Sequence, residues 1–315
     1  MKLYFAGTGA AMPERVVTNE DLSRLIDTSD EWIFSRTGIH QRHVAGEKDN
    51  IAVYAERAAR EAMEEAGVAP EELGLIIMGT ATDGNVTPSA ACQVQALLGA
   101  KNAFCFDLNA ACAGFLYSLR TAEALMRTGD VGAALVIGGD LVSHYVNWQD
   151  RTTCVLFGDA VGAVVLKKGE AEECGDILGS VLGSDGARGH NLVARTDVDD
   201  HYIRMNGQEV FRFAVRTVPA SIEKVLSETG IRKEEIRHYV LHQANARIIE
   251  SVAKYLKEPI EKFPMNLSDT ANTSAGSIPT LLNRMNREGQ LKRGDYLVLA
   301  GFGGGLTWGA SVIRY

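Results

Sequence analysis

The sequence predicts an α/β fold made of two similar halves. Short apolar runs that are typical of buried strands alternate with stretches of helical periodicity along the whole chain. The strand–helix order of the first half returns in the second half at similar spacing, which indicates a duplicated unit. No Pro-rich, Ser-rich or charged linker divides the chain, which has 7 Pro against 32 Gly. We expect an N-terminal half at residues 1–170 and a C-terminal half at residues 171–315.

The first half opens on a short apolar strand at residues 1–7, which we expect Gly7 and Gly9 to break. Beyond it, apolar runs alternate with amphipathic stretches. The predicted strands are residues 75–78, 103–107, 133–137 and 154–166. The predicted helices are residues 51–66, 88–98 and 112–127.

The second half follows the same order. Strands are predicted at residues 239–242, 263–266, 296–300 and 310–314. Helices are predicted at residues 244–256 and 276–287. A further helix begins near Gln208, and Pro219 inside it predicts a kink or a break, because proline lacks the amide hydrogen that a helix interior needs.

Composition narrows the function classes. The 315 residues carry 32 Lys and Arg against 40 Asp and Glu, a net charge of −8, which disfavours a protein that binds nucleic acid through bulk charge. Apolar residues make up 46% of the chain, enough for a core. Its apolar runs fall short of the ~20 residues of a membrane span, and its N-terminus does not resemble a signal peptide. We therefore expect a cytoplasmic protein without a membrane span.

The number and spacing of the cysteines also favour a cytoplasmic protein. The count is odd and no C-x-x-C pair is present, so we expect free thiols in a reducing compartment. No Cys/His grouping has the spacing of a zinc site, so we expect no metal. The cysteines are Cys92, Cys105, Cys112, Cys154 and Cys174.

Cys112 is the cysteine with the setting of a nucleophile. It follows a predicted strand and opens a predicted helix, where the helix dipole favours a thiolate and is expected to lower the pKa of the thiol. Its neighbours Ala111, Ala113 and Gly114 are small and leave a substrate room to approach the sulfur. The plainer alternative is a small buried hydrophobe, the commonest role of cysteine in a core.

Two polar residues of the second half complete a candidate site. Under duplication, His242 ends the strand equivalent to residues 75–78, and Asn272 lies in the turn equivalent to that of Cys112. The three side chains then meet near the carboxyl ends of strands, where α/β folds hold their sites. Taken singly, the alternatives are a capping histidine and a loop or N-cap asparagine. The glycine run at residues 303–305 offers backbone N–H groups to a reacting carbonyl, or forms only a turn.

At these residues the sequence resembles the β-ketoacyl-acyl-carrier-protein synthase III family of the thiolase superfamily, across nearly the whole chain. The matching motifs stand in the family's order, which makes the signal specific. They are TSDEW at residues 28–32, RTGI at 36–39, NAACAGF at 109–115, FGDA at 157–160, HQAN at 242–245, NTSA at 272–275 and FGGGLTWG at 302–309.

The resemblance implies a thiolase-like, five-layered αβαβα fold and a homodimer. It implies a decarboxylative Claisen condensation in which an acyl-CoA starter is joined to malonyl-acyl-carrier-protein, initiating type II fatty-acid synthesis without a cofactor. Cys112 would carry the acyl group. His242 and Asn272 would hydrogen-bond the malonyl thioester oxygen, and the N–H groups of Cys112 and Gly304 would form the oxyanion hole of the acyl-Cys.

The resemblance also implies binding residues. The coenzyme A contacts would be Thr28, Trp32, Arg36, Arg151, Gln208, Asn245 and Arg247. The carrier protein would contact Gln243, Ala244, Asn245, Ala246 and Arg247, with Arg212, Arg216 and Lys254 forming a basic patch that attracts an acidic partner. The acyl pocket would be lined by Thr87, Phe157, Ile203 and Met205.

One position departs from the family pattern, and another bears on the choice of acyl group. Ala271 replaces the usual glycine before Asn272, so we expect that turn to avoid positive φ. Thr87 is the position that closes the partner subunit's acyl pocket in the family, and a threonine there predicts starters longer than acetyl.

Other functions stay open on the sequence. One is a relative from secondary metabolism that loads an unusual starter, or an acyltransferase that forms an ester or amide. Another is a cysteine hydrolase acting on thioesters. A third is a non-catalytic scaffold, which Cys112 argues against.

Overall fold

The computed structural model describes residues 1–170, 175–195 and 200–315. In chain order its strands are β1 (Lys2–Ala11), β2 (Val16–Thr18), β3 (Gln41–His43), β4 (Leu73–Gly79), β5 (Phe104–Leu108), β6 (Ala133–Asp140), β7 (Ala160–Gly169), β8 (Asp176–Ser184), β9 (Leu192–Val193), β10 (Arg204–Met205), β11 (Ile236–Leu241), β12 (Tyr296–Gly303) and β13 (Thr307–Arg314). The helices are α1 (Asn19–Ser23), α2 (Asp30–Thr37), α3 (Ile51–Ala66), α4 (Ala90–Leu98), α5 (Gly114–Thr128), α6 (Gly207–Thr229), α7 (Ala246–Leu256), α8 (Leu267–Thr270) and α9 (Ser277–Arg287).

Two mixed sheets form the frame of the protein. The first has the strand order β1-β7-β6-β4-β5, and the second has the order β8-β13-β12-β11. In the first sheet β7 runs antiparallel to β1 and β6, and in the second sheet β13 runs antiparallel to β8 and β12. The pairs β4–β6 and β11–β12 are parallel. The equivalent order of the two sheets confirms the predicted duplication, with β8 in the place of β1 and β11 in the place of β4.

Helices alternate with the two sheets in five layers. Helices α5 and α9 lie between the sheets, where Phe115 and Ile278 share one core with Leu75 of the first sheet and Leu297 of the second. Helices α3 and α4 cover the outer face of the first sheet, and α6 and α7 cover the outer face of the second. The predicted αβαβα architecture is confirmed.

The N-terminal strand is longer than expected. β1 runs through Gly7 and Gly9, with only a shift of register between Phe5 and Gly7. Both glycines lie directly under α3, because a Cβ at Gly9 would come 2.0 Å from the carbonyl oxygen of Ala58. The prediction that these glycines break the strand was wrong, since they permit helix α3 to lie close on the sheet.

Two predicted strands differ from the structure. Residues 263–266 follow a 3₁₀ turn and form no strand, so the second sheet lacks a counterpart of β5. Residues 154–156 form a turn, Phe157 makes an isolated bridge to Asn272, and the strand predicted from residue 154 begins only at Ala160. The apolar side chains of Cys154 and Phe157 are buried instead in a cluster with Ile33, which is formed by loops and short helices. Periodicity alone does not separate a buried turn from a buried strand.

Helix α6 continues through Pro219 without a break, contrary to the prediction. Residues on both sides of the proline, including Phe213 and Ile222, belong to one core with the second sheet. Tertiary packing along the whole helix therefore outweighs the ~3 kcal/mol cost of an interior proline.

Some expectations concern residues at the edge of the described chain. The proposed boundary at residue 171 and the thiol of Cys174 lie outside the described residues. The four described cysteines are free thiols, and Cys92 and Cys105 lie 3.3 Å apart, sulfur to sulfur. Within the described ranges, no helix is long and apolar enough to cross a membrane.

Candidate active site

Cys112 sits where the central helix of the first half begins. It occupies a 3₁₀ turn, Ala111–Ala113, that joins β5 to α5. Ala111 adopts a positive φ of 48°, and Ala113 donates its N–H to the carbonyl of Ala110. The turn places the thiol just beyond the carboxyl end of β5, where Cys112 is 9% exposed.

His242 follows β11 of the second sheet and is held at two points. Its backbone N–H donates to the carbonyl of Ala300 at 2.8 Å. Its Nδ1 lies 2.6 Å from the hydroxyl of Ser277, the first residue of α9. Burial lowers the pKa of His242 to about 3, so the imidazole is neutral at physiological pH. With Nδ1 engaged by Ser277, Nε2 is the nitrogen available to a substrate.

Asn272 is fixed against the first half of the chain. Its N–H donates to the carbonyl of Leu156, and its carbonyl accepts from Gly158. Its side-chain Oδ1 accepts the N–H of Ser274 at 2.9 Å. Because the oxygen of the carboxamide is engaged, the amide nitrogen Nδ2 is left as the group that can donate to a substrate.

Cys112, His242 and Asn272 line one cavity of about 220 Å³. We call it the entrance cavity, because the exposed residues Thr152 and Phe211 line its other end and it therefore reaches the surface. Three residues from distant segments thus line one space, which holds a thiol and two neutral hydrogen-bond donors.

A second cavity, of about 410 Å³, is also lined by Cys112. Cys112, Ser274 and Asp140 line it together with the predicted pocket residues Phe157 and Ile203. We call it the inner cavity. Met205, the other predicted pocket residue of this region, lines the entrance cavity instead.

The protonation of Cys112 differs from the expectation. Burial, and to a smaller extent the charge of nearby Asp140, raise the pKa of its thiol to about 12 against the opposing effect of the Ser274 hydroxyl. The prediction of a lowered pKa was wrong because desolvation of the sulfur exceeds the few tenths to ~1 kcal/mol that a helix terminus supplies. The free site therefore holds a thiol, and acylation requires a route for its proton.

The glycine run reaches the nucleophile from the second sheet. A Cβ on Gly303 would lie 2.5 Å from the backbone nitrogen of Cys112, so only glycine allows this approach. Gly304 lines the inner cavity beside Cys112. Cys112 and Gly304 thus lie beside the same cavity.

The turn before Asn272 is strained. Ala271 has φ of 59° and ψ of −161°, a region that favours glycine, so the expectation that this turn avoids positive φ was wrong. The turn needs this conformation because both backbone groups of Asn272 pair with residues 156–158. Ser274 adopts a positive φ of 51° two residues later.

The predicted coenzyme A residues gather around the indole of Trp32. The guanidinium carbon of Arg36 lies 4.6 Å from the ring centroid and that of Arg151 lies 4.7 Å from it. Arg151 also donates to the carbonyl of Asp27 at 2.8 Å. A ring of coenzyme A bound between Trp32 and Arg151 would therefore require the arginine to move outward. Thr28 precedes α2, and its buried hydroxyl has no partner among the described residues.

The remaining predicted coenzyme contacts are more scattered. Asn245 caps α7 through Oδ1 and donates through Nδ2 to the carbonyl of Arg36. Arg247 is exposed and donates to the carbonyl of Ser35. Gln208 is exposed in the first turn of α6.

The predicted carrier-protein surface is only partly exposed. Arg212, Arg216, Arg247 and Lys254 are exposed, while Asn245 and Ala246 are half-buried. Gln243 and Ala244 are buried, and the amide of Gln243 donates to the carbonyl of Leu241, so neither offers its side chain to a macromolecule. Their inclusion in the exposed contact segment was wrong because the chain turns inward after His242.

Thr87 is exposed and lines neither cavity of this single chain. The sequence reasoning also missed residues around the nucleophile, namely Asp140, Ser274 and Ser277. The signal for the two serines lay in their closeness to Asn272, but nothing in the spacing assigned them partners. Across the described residues, no group of three or more His, Cys, Asp or Glu side chains could hold a metal ion.

Comparison with known proteins places this geometry in a family. The profile described as 3-oxoacyl-[acyl-carrier-protein] synthase III matches residues 106–186, and that of its C-terminal region matches residues 226–315. A β-ketoacyl-[acyl-carrier-protein] synthase III from Clostridium acetobutylicum is 46% identical, covering 98% of this chain and 97% of the relative.

Solved structures agree with this result. The 3-oxoacyl-[acyl-carrier-protein] synthase III from Aquifex aeolicus superposes with a TM-score of 0.96 at 45% identity, covering 99% of this chain and 100% of that one. The priming β-ketosynthase of the R1128 polyketide pathway has a TM-score of 0.93 at 32% identity, over 99% and 95% of the two chains. The chain therefore belongs to the β-ketoacyl-acyl-carrier-protein synthase III family, as its sequence motifs predicted.

Proposed function

We propose that this enzyme starts fatty-acid chains by joining an acyl-CoA starter to malonyl-acyl-carrier-protein, with loss of CO₂. The observation that carries the proposal is the entrance cavity, which is lined by a thiol and two neutral hydrogen-bond donors. Membership of a family of condensing acyltransferases supports it.

In the first stage, Cys112 attacks the thioester carbon of the acyl-CoA. The carbonyl oxygen becomes negative in the tetrahedral intermediate, and the N–H groups of Cys112 and Gly304 stabilise that charge. Collapse of the intermediate breaks the bond to the coenzyme A sulfur and leaves the acyl group on Cys112. The inner cavity, bounded by Phe157 and Ile203, would hold the acyl tail.

In the second stage, the malonyl thioester lies against His242 and Asn272. Loss of CO₂ places negative charge on the thioester oxygen, and two preorganised donors there can each contribute about 3 kcal/mol. His242 suits this task because its pKa, lowered by burial, keeps it neutral, with Nε2 free to donate. The enolate carbon then attacks the acyl-Cys, and the Cys112 sulfur leaves.

The partners follow from the same chemistry. We propose that coenzyme A binds near Trp32, Arg36 and Arg151, and that an acidic carrier protein docks on Arg212, Arg216, Arg247 and Lys254. We further propose a homodimer in the cytoplasm, in which Thr87 of one subunit closes the inner cavity of the other.

The test is incubation with a set of acyl-CoAs and malonyl-acyl-carrier-protein, with the carrier-bound products weighed by mass spectrometry. We expect a β-ketoacyl product and release of CO₂, both abolished by Cys112→Ala. Free acid as the only product would instead identify a thioester hydrolase, and an ester or amide formed without CO₂ would identify an acyltransferase.

A second candidate is a priming enzyme of secondary metabolism. This candidate is supported by the similarity to the R1128 priming β-ketosynthase, which is 32% identical over nearly the whole chain. The two candidates carry out the same chemistry and differ in starter and carrier. Rates with a fatty-acid carrier protein and with a polyketide carrier protein, each paired with the same acyl-CoA set, would separate them.

A further inference from the structure

Thr307 has a side-chain hydroxyl that contacts both halves of the chain beside the nucleophile. It is the first residue of β13, is half-buried, and lines the inner cavity together with Cys112 and Gly304. Its Oγ1 donates to the carbonyl oxygen of Ala110 at 2.7 Å and lies 3.0 Å from that of Gly304. A hydroxyl has one proton, which these two oxygens share. The hydroxyl therefore ties the turn that holds Cys112 to the glycine run of the second half.

The two carbonyls stand next to the N–H groups that the proposed function uses as the oxyanion hole. The carbonyl of Ala110 belongs to the peptide unit just before the one that carries the N–H of Cys112. The carbonyl of Gly304 belongs to the peptide unit just after the one that carries the N–H of Gly304. Because a peptide unit is planar and rigid, fixing each carbonyl limits the direction of the neighbouring N–H to one pair of backbone angles.

The glycine run needs such a tie. On one side it is anchored by Leu306, which exchanges two backbone hydrogen bonds with Asp185, at 2.8 and 3.0 Å. Gly304 and Gly305 precede this anchor, and glycine has access to a wide range of backbone angles. The hydroxyl of Thr307 holds the carbonyl of Gly304, which the anchor at Leu306 leaves free to turn.

The orientation of the Thr307 side chain is itself restricted. A Cβ on Gly305 would lie 2.9 Å from the methyl carbon of Thr307, so this methyl group packs close to the backbone of the turn. A β-branched side chain has few favourable χ1 angles. With the methyl group placed against Gly305, the hydroxyl is directed at the two carbonyls.

We propose that Thr307 is a positioning residue for acyl transfer, whose hydroxyl fixes the N–H groups of Cys112 and Gly304 relative to each other. The inference rests on the proposed function, because those N–H groups stabilise the oxyanion that forms at the acyl carbon. Thr307 acts through the backbone of the two segments, and no bond to its side chain forms or breaks.

The first measurement is the acylation of Cys112 in Thr307→Val, which keeps the shape of the side chain and lacks the donor. Single-turnover acylation by an acyl-CoA, and by the small thioester S-acetyl-N-acetylcysteamine, is followed from the mass of the Cys112 peptide. At saturating thioester we expect the rate to fall about 10- to 100-fold, with the half-saturating concentration unchanged within about twofold. Thr307→Ser keeps the hydroxyl and should restore the rate to within about threefold of the natural enzyme.

The second measurement separates positioning from a merely structural role. Iodoacetamide alkylates a thiolate by displacement at a saturated carbon and forms no oxyanion, so its rate reports the access and ionisation of Cys112 alone. We expect the alkylation rate of Thr307→Val to match that of the natural enzyme within about twofold from pH 6 to pH 9. A collapse of the turn would instead move the thiol and change alkylation and acylation together.

Two control variants lie in helix α5. Thr121→Val removes a half-buried hydroxyl that donates to the carbonyl of Tyr117, and Ser118→Ala removes a buried hydroxyl that has no partner among the described residues. Both should keep the natural acylation rate. If Thr307→Val folds poorly, Thr307→Ala also removes the donor and takes its place.

Three results would overturn the proposal: a natural acylation rate in Thr307→Val, a Thr307→Ser variant as slow as Thr307→Val, or equal slowing of acylation and alkylation. A natural enzyme that is acylated by the small thioester but forms no β-ketoacyl product would contradict the proposed function. The comparison of acylation rates would still decide the role of Thr307 in that case.

Discussion

The hydroxyl of Ser277 lies 2.6 Å from Nδ1 of His242, and both groups are buried. A neutral imidazole carries one proton, and a hydroxyl that donates to Nδ1 confines that proton to Nε2. The first residue of α9 therefore decides whether His242 can donate to a thioester oxygen or can only accept.

Ser277→Ala should slow condensation and spare acyl transfer. Without the hydroxyl, part of the imidazole carries its proton on Nδ1 and loses the donor that faces the substrate. We expect the condensation stage to slow by about 10- to 100-fold, less than for outright loss of a donor. Single-turnover measurement of each stage checks this, with Ser118→Ala as the matched control. Equal slowing of both stages would indicate a merely structural serine.

Gly303→Ala should impair acyl transfer. The added Cβ meets the backbone nitrogens of Cys112 and Ala113 at 2.5 and 3.0 Å, and backbone atoms cannot turn aside as a side chain can. We expect the turn that holds the thiol to shift and acylation to slow by about 10²-fold. Gly132→Ala, whose Cβ meets nothing within 4 Å, is the control. Natural rates in Gly303→Ala would show that this approach is not needed.

Ala271→Gly should be tolerated although it deletes a buried methyl group. Relief of about 1–3 kcal/mol of backbone strain opposes the ~0.8 kcal/mol lost with the methyl and the 0.5–1 kcal/mol of extra chain entropy. We expect the free energy of unfolding in urea to change by less than about 1 kcal/mol. Ala122→Gly, buried in helix α5, should cost about 1.5–2 kcal/mol. Equal losses would contradict the strain.

His242 should make the enzyme less stable in weak acid. Its pKa is about 3 in the folded protein and 6.5 in the unfolded chain, so the unfolded state binds the proton first as the pH falls. The free energy of unfolding should therefore fall between about pH 7 and pH 5 by more in the natural enzyme than in His242→Gln. His238, whose pKa burial also lowers, is present in both proteins and cancels. Parallel pH dependences would contradict a neutral buried imidazole.

The starter range should extend beyond acetyl. Cys112 lines the inner cavity of about 410 Å³, and Thr87, which we propose closes this cavity from the partner subunit, has a small side chain. Acylation of Cys112 by acyl-CoAs of graded length, weighed by mass spectrometry, checks this. Thr87→Phe should shift the preference towards acetyl, while Val86→Phe, with the same ring on a fully exposed neighbour, should not. A natural enzyme restricted to acetyl would defeat the prediction.

The fold could be predicted from the sequence because its central strands have clear apolar patterns. Residues 75–78, 133–137 and 296–300 all lie within central strands of the two sheets. The errors came where contacts between distant residues decide the structure. Gly7 and Gly9 were taken as breaks because nothing local reveals helix α3 lying on them.

The same difference between local patterns and contacts of distant residues applies to the candidate site. The positions of Cys112, His242 and Asn272 at strand and turn ends could be predicted from their motifs. The protonation of Cys112 could not, since burial and the charge of Asp140, which is 28 residues away in the chain, raise its pKa. The conformation of Ala271 likewise depends on its neighbour pairing with residues 156–158.

At two contacts between the halves, a glycine lies directly against the main chain of the other half. A Cβ at Gly138 would meet the carbonyl of Ala275 at 2.4 Å, and one at Gly276 would meet the carbonyl of Ala160 at 2.4 Å. Redesign of this enzyme for a new acyl group should therefore change residues that line the inner cavity, such as Phe157 and Ile203. Gly138 and Gly276 themselves offer no such freedom, because a Cβ at either position would clash with a carbonyl oxygen.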